Sequence, residues 1–214
     1  MKLNEYIDHT NLKQTGTYED IKKLCEEAIE YNFKSVCVSP YYVKSAKSLL
    51  VNSDVKVCTV IGFPNGYSTT ETKVFETVNA LKNGADEIDM VMNINAIKNN
   101  DFDYVQDEIL KIKDETQDAV LKVIVETCFL TEEELIDVTL MCNSLGVDFI
   151  KTSTGFGTRG ASLEDIDTIN KYKSSDLQIK ASGGIKTKEL ALKYIDKGVT
   201  RIGTSNGVDI MKGE

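Results

Sequence analysis

Short apolar segments recur along the chain and alternate with longer segments of mixed character. Each short segment is rich in Val, Ile or Phe and is shorter than an ordinary helix, which is typical of strands buried in a parallel sheet. Seven of them cover residues 33–38, 55–61, 85–92, 119–125, 147–150, 177–181 and 199–202. Residues 6–8 form a weaker candidate, so the pattern predicts up to eight strands.

The segments between these strands carry apolar residues at helical spacing, which predicts amphipathic helices with one buried face. The predicted faces are Ile21, Leu24, Cys25, Ala28 and Ile29; Val74, Phe75, Val78 and Leu81; Leu135, Val138, Met141, Cys142 and Leu145; and Leu190, Ala191, Tyr194 and Ile195. Capping-box patterns predict where two of these helices begin, at Ser68 with Glu71 and at Thr131 with Glu134.

Alternation of strands and helices through the whole chain predicts an α/β protein with a parallel sheet. No Pro-rich linker and no shift in composition divides the sequence, so we expect a single domain spanning residues 1–214. Eight strands in a chain of this length fit a compact (β/α)8 barrel, or TIM barrel. A doubly wound open sheet is the competing fold, but no G-x-G-x-x-G pattern follows the first strands and the P-loop pattern is absent.

Composition narrows the classes of function. With 41% apolar and 28% charged residues, the chain is typical of a soluble globular protein. Its 25 basic and 34 acidic residues give a net charge of −9, which argues against nucleic acid or an anionic membrane as a partner. Five cysteines without a C-x-x-C pair, and an N-terminus without the apolar core of a signal peptide, favour the reducing cytoplasm.

Three ionisable residues interrupt the predicted strands. Asp89 and Lys180 lie inside two of the apolar segments, and Lys151 directly follows a third. An isolated buried charge is costly, so these groups must be paired, shifted in pKa or open to a cavity. In a barrel, the natural cavity is the mouth at the carboxyl ends of the strands.

Lys151 and Lys180 each begin the pattern K-x-S-x-G, one βα unit apart. Neighbouring strands would bring both amines to the mouth, where two ammonium groups disfavour each other's charge and one amine titrates at a lower pH. A neutral lysine attacks a carbonyl and forms a Schiff base, although the residues alone do not say which lysine does so. Asp89 either relays protons through a water or merely neutralises a lysine.

Glycine-rich segments follow the last three predicted strands, at residues 152–158, 182–184 and 203–207. Glycine lets backbone N–H groups approach an anion, and barrels of this fold commonly bind phosphate after strands seven and eight. The pattern favours a phosphorylated substrate. Asp8 ends the weak first strand and Thr10 follows it, and both are candidates to bind substrate hydroxyls. In the structural alternative, Asp8 caps a turn and His9 lies on the surface.

Six phrases, in order, resemble the deoxyribose-phosphate aldolase family over the whole chain: IDHT (7–10), VCVSP (36–40), GFPNG (62–66), EIDMV (87–91), FIKTSTGFG (149–157) and IKASGGI (179–185). The resemblance implies a class I aldolase that reversibly cleaves 2-deoxy-D-ribose 5-phosphate to acetaldehyde and D-glyceraldehyde 3-phosphate. It implies no metal and no cofactor, and a place in deoxyribose phosphate catabolism.

The same resemblance implies that Lys151 forms the Schiff base, that Lys180 perturbs it and that Asp89 relays protons. The substrate-binding residues it implies are Asp8, Thr10 and Cys37 near the sugar, with Thr154, Gly155, Gly183, Gly184, Gly203 and Ser205 at the mouth and around the phosphate. Phe156 and Asn206 stand where some family members carry a lysine and a serine. The cation that supports the phosphate is left open among Lys151, Lys180, Arg159 and Lys186.

Other functions compatible with these residues are a metal-free phosphosugar isomerase with Asp89 as base, another Schiff-base aldolase, and a non-catalytic barrel that binds a phosphorylated metabolite. The expected partner is a small phosphosugar rather than nucleic acid or a membrane. Exposed helix faces leave a homo-oligomer open.

Overall fold

The computed structural model describes residues 2–213, in which eight parallel strands form a closed barrel. The strands are β1 (Ile7–Asn11), β2 (Ser35–Val38), β3 (Lys56–Ile61), β4 (Glu87–Val91), β5 (Val120–Ile124), β6 (Phe149–Lys151), β7 (Gln178–Ser182) and β8 (Arg201–Thr204). Each strand pairs with the next along the chain, and β1 pairs with β8 to close the barrel. The predicted (β/α)8 fold is confirmed.

Helices connect the strands around the outside of the barrel. They are α1 (Tyr18–Tyr31), α2 (Val43–Leu49), α3 (Thr70–Lys82), α4 (Ile94–Lys98), α5 (Phe102–Thr116), α6 (Glu132–Ser144), α7 (Leu163–Tyr172), α8 (Lys188–Asp196) and α9 (Gly207–Lys212). Within residues 2–213, none of these helices is long and apolar enough to cross a membrane.

One of the two predicted capping boxes is present. Thr131 accepts a hydrogen bond from the Glu134 backbone, and the Glu134 carboxylate accepts one from the Thr131 backbone, so α6 begins as predicted. The predicted box at Ser68 is wrong, because α3 begins one residue later with Thr69 as its cap, and the Thr69 side chain makes no capping bond.

The main hydrophobic core lies between the strands and the helices. Outward-facing strand residues such as Val36, Ile88 and Ile150 belong to it. The alternate strand positions point into the barrel, where branched apolar residues are usual. In this barrel many of them are charged and buried: Asp8, Glu87, Asp89, Lys122, Lys151, Lys180 and Arg201. The interior is therefore held together by ion pairs as well as by packing.

Helix α3 presents only part of the predicted face to the core: positions 74 and 81 pack against it, as predicted, but positions 75 and 78 are exposed. Phe75 is 71% exposed, while Lys73 and Thr77 face the barrel and are fully buried. The Lys73 amine lies 2.7 Å from the Glu108 carboxylate of α5 and donates to the Val91 carbonyl at 2.8 Å. This buried ion pair, rather than hydrophobic periodicity, sets the rotation of α3.

Replacing Lys73 with Met should lower the free energy of unfolding by about 3–5 kcal/mol, because the buried Glu108 carboxylate loses its cation. Urea denaturation measures this loss. The matched control is Phe75→Ser on the exposed side of the same helix, which should change stability by less than about 0.5 kcal/mol. Equal losses in the two variants would contradict the assigned faces.

Candidate active site

Asp89, in the middle of β4, binds three lysine amines. Its Oδ2 accepts hydrogen bonds from the Nζ atoms of Lys151 and Lys180, each at 2.8 Å. Its Oδ1 accepts one from Lys122 Nζ at 2.9 Å. Lys151 and Lys180 are direct register partners on β6 and β7. The structure thus brings together the three residues that the strand pattern singled out, and adds Lys122.

These contacts continue into a ring of ion pairs that fills the barrel interior. Lys180 reaches Asp8 at 2.5 Å, and Asp8 in turn binds Arg201. Arg201 also lies 3.0 Å from Glu87, whose carboxylate is 2.6 Å from Lys122. We call this set the barrel ring; its members are Asp8, Glu87, Asp89, Lys122, Lys151, Lys180 and Arg201.

Sequence reasoning missed three members of the barrel ring: Glu87, Lys122 and Arg201. Each lies within or at the edge of a strand that the apolar pattern predicted. The signal that would have found them is the one that found Asp89, a charge inside an apolar segment. A charge at a strand end is also common at a solvated edge, so the signal was weaker for Glu87 and Arg201.

The barrel ring holds its carboxylates ionised. Burial alone would raise the pKa of Asp89, but the charges of Lys122, Lys151 and Lys180 outweigh it and hold that pKa well below its usual range. Burial likewise opposes ionisation of Asp8, and the charges of Arg201 and Lys180 bring its pKa below the usual value. Both side chains are therefore carboxylates at neutral pH.

The same contacts keep two of the lysines charged. Burial alone would lower the pKa of Lys180, but Asp8 and Asp89 raise it well above its usual value. For Lys122, Asp89 and Glu87 are among the groups that outweigh burial and raise the pKa. Sequence reasoning expected mutual repulsion between lysines to dominate the site. In the structure the intervening carboxylates dominate instead, because each lies in contact with at least two cations.

A count of charges distinguishes Lys151 from the other basic residues. The barrel ring has four basic side chains and three carboxylates, so its charge balances when one basic group is neutral. Lys122, Lys180 and Arg201 each contact two carboxylates, whereas Lys151 contacts Asp89 alone among the described residues. These contacts single out Lys151 as the basic residue of the ring that carboxylates constrain least.

A cleft of about 660 Å³ opens at the carboxyl ends of the strands. Lys151 is part of its lining, which gives this amine access to a ligand. The other sequence-predicted residues that line it are Thr10, Thr154, Gly155, Gly183, Gly184, Gly203 and Ser205. Asp8 and Cys37 do not line the cleft and are fully buried, so contact between either residue and a sugar stays a prediction.

Two cysteines lie against Asp89 inside the barrel. The Cys58 thiol donates to Asp89 Oδ1 at 3.1 Å, and Cys37 and Cys58 are register partners on β2 and β3. One ligand atom from each of these three residues lies within 4.8 Å of the others, a spacing that would suit a metal ion. The fit is poor, because the Asp89 oxygens already accept hydrogen bonds from three lysine amines, and the charges of Lys122 and Lys180 repel a cation.

The loop after β6 is held by a residue that the sequence pattern missed. The buried Glu126 carboxylate accepts a hydrogen bond from the Thr154 backbone at 3.2 Å and another from the Thr154 hydroxyl. Thr154 in turn accepts a bond from the Phe156 backbone at 3.0 Å. The Phe156 ring meets the edge of Phe63, with centroids 5.4 Å apart, so this loop adds an apolar wall rather than a cation.

Glycine conformation opens the backbone of the cleft toward an anion. Gly155 and Gly184 have φ values of 88° and 78°, in the left-handed region. A Cβ at either position would meet no neighbouring atom, so backbone conformation rather than space calls for glycine. Lys186, next to this turn, also lines the cleft, whereas Arg159 is bound to Asp165 at 3.0 Å and is absent from the lining.

His9 lies outside the cleft. Its Nε2 is 2.7 Å from the Glu27 carboxylate of α1, and its ring packs against Phe33 with centroids 5.1 Å apart. The side chain is 3% exposed. The alternative in which His9 lies on the surface is therefore wrong: because strand side chains alternate, His9 points from β1 toward the helices while Asp8 points into the barrel.

Replacing Asp8 with Asn should destabilise the fold by about 3 kcal/mol at pH 7, because Lys180 and Arg201 each lose a carboxylate. The pKa of Asp8 in the folded protein lies below the usual 3.8. The stability that the Asp8 carboxylate contributes is therefore fully present above pH 3.8 and is lost as the pH falls from there through the folded pKa. Stability of the variant should therefore fall less steeply than that of the unsubstituted protein as the pH drops below about 4.

Urea unfolding at several pH values measures both effects. The control is Asp107→Asn, because the Asp107 ion pair with Lys111 is solvent-exposed and contributes little. Parallel stability curves for Asp8→Asn and the unsubstituted protein in acid would contradict the assigned ionisation.

Comparison with known proteins gives the family. The family model described as DeoC/LacD family aldolase matches residues 3–212. The deoxyribose-phosphate aldolase of Thermococcus gammatolerans is 53% identical over 218 residues, covering 100% of this chain and 96% of that protein. The solved structure of QR15, an aldolase, is 43% identical with a TM-score of 0.94, covering 98% of this chain and 94% of that one.

A third similar protein is described with its oligomeric state. The deoxyribose phosphate aldolase of Aeropyrum pernix, described as a unique tetrameric structure, is 31% identical with a TM-score of 0.91, covering 98% of this chain and 89% of that one. The family model spans nearly the whole chain, and the Thermococcus gammatolerans relative is more than 50% identical to it in sequence. The chain therefore belongs to the DeoC/LacD family of aldolases.

Proposed function

We propose that the protein is a deoxyribose-phosphate aldolase that reversibly cleaves 2-deoxy-D-ribose 5-phosphate to acetaldehyde and D-glyceraldehyde 3-phosphate. The observation that carries the proposal is the Lys151 amine, which lines the cleft and contacts a single carboxylate of the barrel ring. Support also comes from the relative in Thermococcus gammatolerans, which bears this name at 53% identity.

The reaction begins when the neutral Lys151 amine adds to the C1 aldehyde of the open-chain sugar. Uptake of one proton from solvent and loss of water then give an iminium ion, which carries the positive charge that the neutral amine lacked. Asp89 Oδ2, 2.8 Å from Lys151 Nζ, is placed to stabilise this charge. Lys180, held protonated by Asp8 and Asp89, disfavours a proton on its neighbour before the substrate arrives.

Carbon–carbon cleavage then follows from the electron demand of the iminium. Loss of the C3 hydroxyl proton breaks the C2–C3 bond, releases D-glyceraldehyde 3-phosphate and leaves an enamine on Lys151. Asp89 is a weak base, because three lysines hold its pKa low, so its part is to orient a water that carries the proton. Protonation of the enamine at C2 and hydrolysis give acetaldehyde and restore Lys151.

The phosphate end of the substrate is proposed to lie among the glycine-rich loops of the cleft. Gly155, Gly183 and Gly184 have left-handed conformations that leave their backbone N–H groups open to an anion. Lys186 lines the same cleft and supplies one positive charge. The backbone groups fix the position of the phosphate, and the charge attracts it to a chain whose net charge is −9.

The geometry favours this function over the alternatives. A metal-free isomerase would need Asp89 as a free base, but both of its oxygens are bound to ammonium groups. A barrel that only binds a phosphorylated metabolite gives no reason for a lysine that lines the cleft beside a charged lysine. Another Schiff-base aldolase would use the same lysine, so activity measured with different sugar substrates distinguishes it from the proposed function.

We also propose that the protein is a cytoplasmic homo-oligomer. The five cysteines are free thiols, as suits a reducing compartment. The tetrameric relative in Aeropyrum pernix supports assembly, and Tyr41 is one of several exposed aromatic side chains. The expected single domain over residues 1–214 remains part of the proposal.

Incubation with 2-deoxy-D-ribose 5-phosphate and borohydride should attach a reduced adduct to Lys151, because borohydride reduces the iminium to a stable amine. Peptide mass spectrometry locates the label, and Lys151→Met should abolish it together with activity. The control Lys197→Met, in an exposed ion pair with Asp167, should keep both. Absence of label, or label on a different lysine, would refute the assigned nucleophile.

Replacing Lys180 with Met should lower kcat/KM at pH 7 by about 100-fold, because Lys151 then keeps its proton beside an undercompensated Asp89. The loss should shrink as the pH rises, since a higher pH deprotonates Lys151. A pH profile of kcat/KM for both proteins measures this. A loss of equal size at every pH would show that Lys180 acts in some other way.

A further inference from the structure

Of the four basic residues that the sequence analysis left open for the phosphate, two line the cleft, Lys151 and Lys186. Lys180 is committed to the barrel ring, and Arg159 is bound to Asp165 outside the cleft. The loop after β6 contributes the apolar ring of Phe156 to the cleft lining. Within residues 2–213, the lysines that line the cleft are Lys13, Lys151 and Lys186. Lys13 is the one with no role so far.

Lys13 belongs to the loop that joins β1 to α1, and its backbone is held in place. Asn11 accepts a hydrogen bond from the Lys13 N–H at 3.3 Å, and the Lys13 carbonyl accepts one from Gly16 at 3.0 Å. The Tyr42 hydroxyl donates to the Gly16 carbonyl at 2.9 Å and ties the end of the loop to the neighbouring βα unit. The backbone is thus fixed while the side chain is exposed.

The neighbouring Leu12 anchors this loop to the barrel. It packs against the apolar cluster formed by Cys37, Cys58 and Val60, together with Phe63. The side chain of Leu12 therefore faces the interior. Asn11, Leu12, Lys13 and the two residues after them all line the cleft, so the loop forms part of its wall.

The position of Lys13 in the barrel suits a phosphate. Strand β1 pairs with β8, so the loop after β1 stands beside the end of β8, which contains Gly203, and beside Ser205 directly after it. Among the described residues, no carboxylate lies within 4.0 Å of the Lys13 amine. Asp20, the acid of the same region, is occupied by the backbone and hydroxyl of Thr17, both at 2.7 Å.

We propose that Lys13 binds the phosphate group of the substrate and makes the enzyme select phosphorylated over unphosphorylated aldoses. This inference rests on the proposed function and deepens it. The amine contributes a point charge and up to three N–H donors, and its charge is not spent on an ion pair. With Phe156 apolar on the β6 side, Lys13 adds positive charge from the β1 side of the cleft to the charge that Lys186 supplies.

The test compares 2-deoxy-D-ribose 5-phosphate with 2-deoxy-D-ribose. Lys13→Gln should raise KM for the phosphorylated sugar about tenfold, the effect of losing one charge-assisted hydrogen bond at an exposed site. Its kcat should stay within about twofold of the unsubstituted protein, and kcat/KM for the unphosphorylated sugar should not change. Lys13→Arg should restore most of the affinity, because it keeps the charge.

Two further measurements make the outcome decisive. Isothermal titration calorimetry with inorganic phosphate should show about tenfold weaker binding to Lys13→Gln, and it needs no turnover. The control Lys44→Gln, on the exposed surface of α2, should leave every value unchanged. A Lys13→Gln protein with unaltered phosphate affinity, or with equal losses on both sugars, overturns the inference. Failure of the unsubstituted protein to cleave the phosphorylated sugar would instead overturn the proposed function.

Discussion

The organisation of this barrel depends on one carboxylate, Asp89, that is shared by the amines of Lys122, Lys151 and Lys180 in the interior. Charges removed from water are tolerable only when each is paired. The barrel meets this condition with alternating cations and carboxylates that close into a ring. Hydrophobic stabilisation then comes mainly from the layer between strands and helices, which leaves the interior available for chemistry.

The proposed function depends on the unequal numbers of basic side chains and carboxylates in the barrel ring. Three of its cations touch two carboxylates each and are fixed by them, while Lys151 touches Asp89 alone and reaches the cleft. In the proposed reaction the same contact serves two steps, because Asp89 balances the neighbouring cations before substrate binds and stabilises the iminium afterwards. The proposed nucleophile is therefore distinguished from the other basic residues by the number and placement of its carboxylate contacts.

Some of this arrangement was predictable from the sequence. The parallel strands are predicted by short apolar segments, and the position of Asp89 within one of these segments predicts that it is buried. The rotation of α3 was not predictable, because the ion pair of Lys73 with Glu108 joins residues on two helices and outweighs the local apolar pattern. Lys13 carries no signal at all in the sequence, since an exposed lysine in a loop becomes informative only when the closed barrel sets that loop beside β8.

The most direct test of the central claim is the protonation state of the amines at pH 7, read by NMR of protein labelled with ¹⁵N at lysine Nζ. Assignments come from the signals that disappear on substituting each lysine in turn. The account predicts a neutral amine at Lys151 and ammonium ions at Lys122 and Lys180. Three ammonium ions, or a neutral Lys180 beside a charged Lys151, would contradict it.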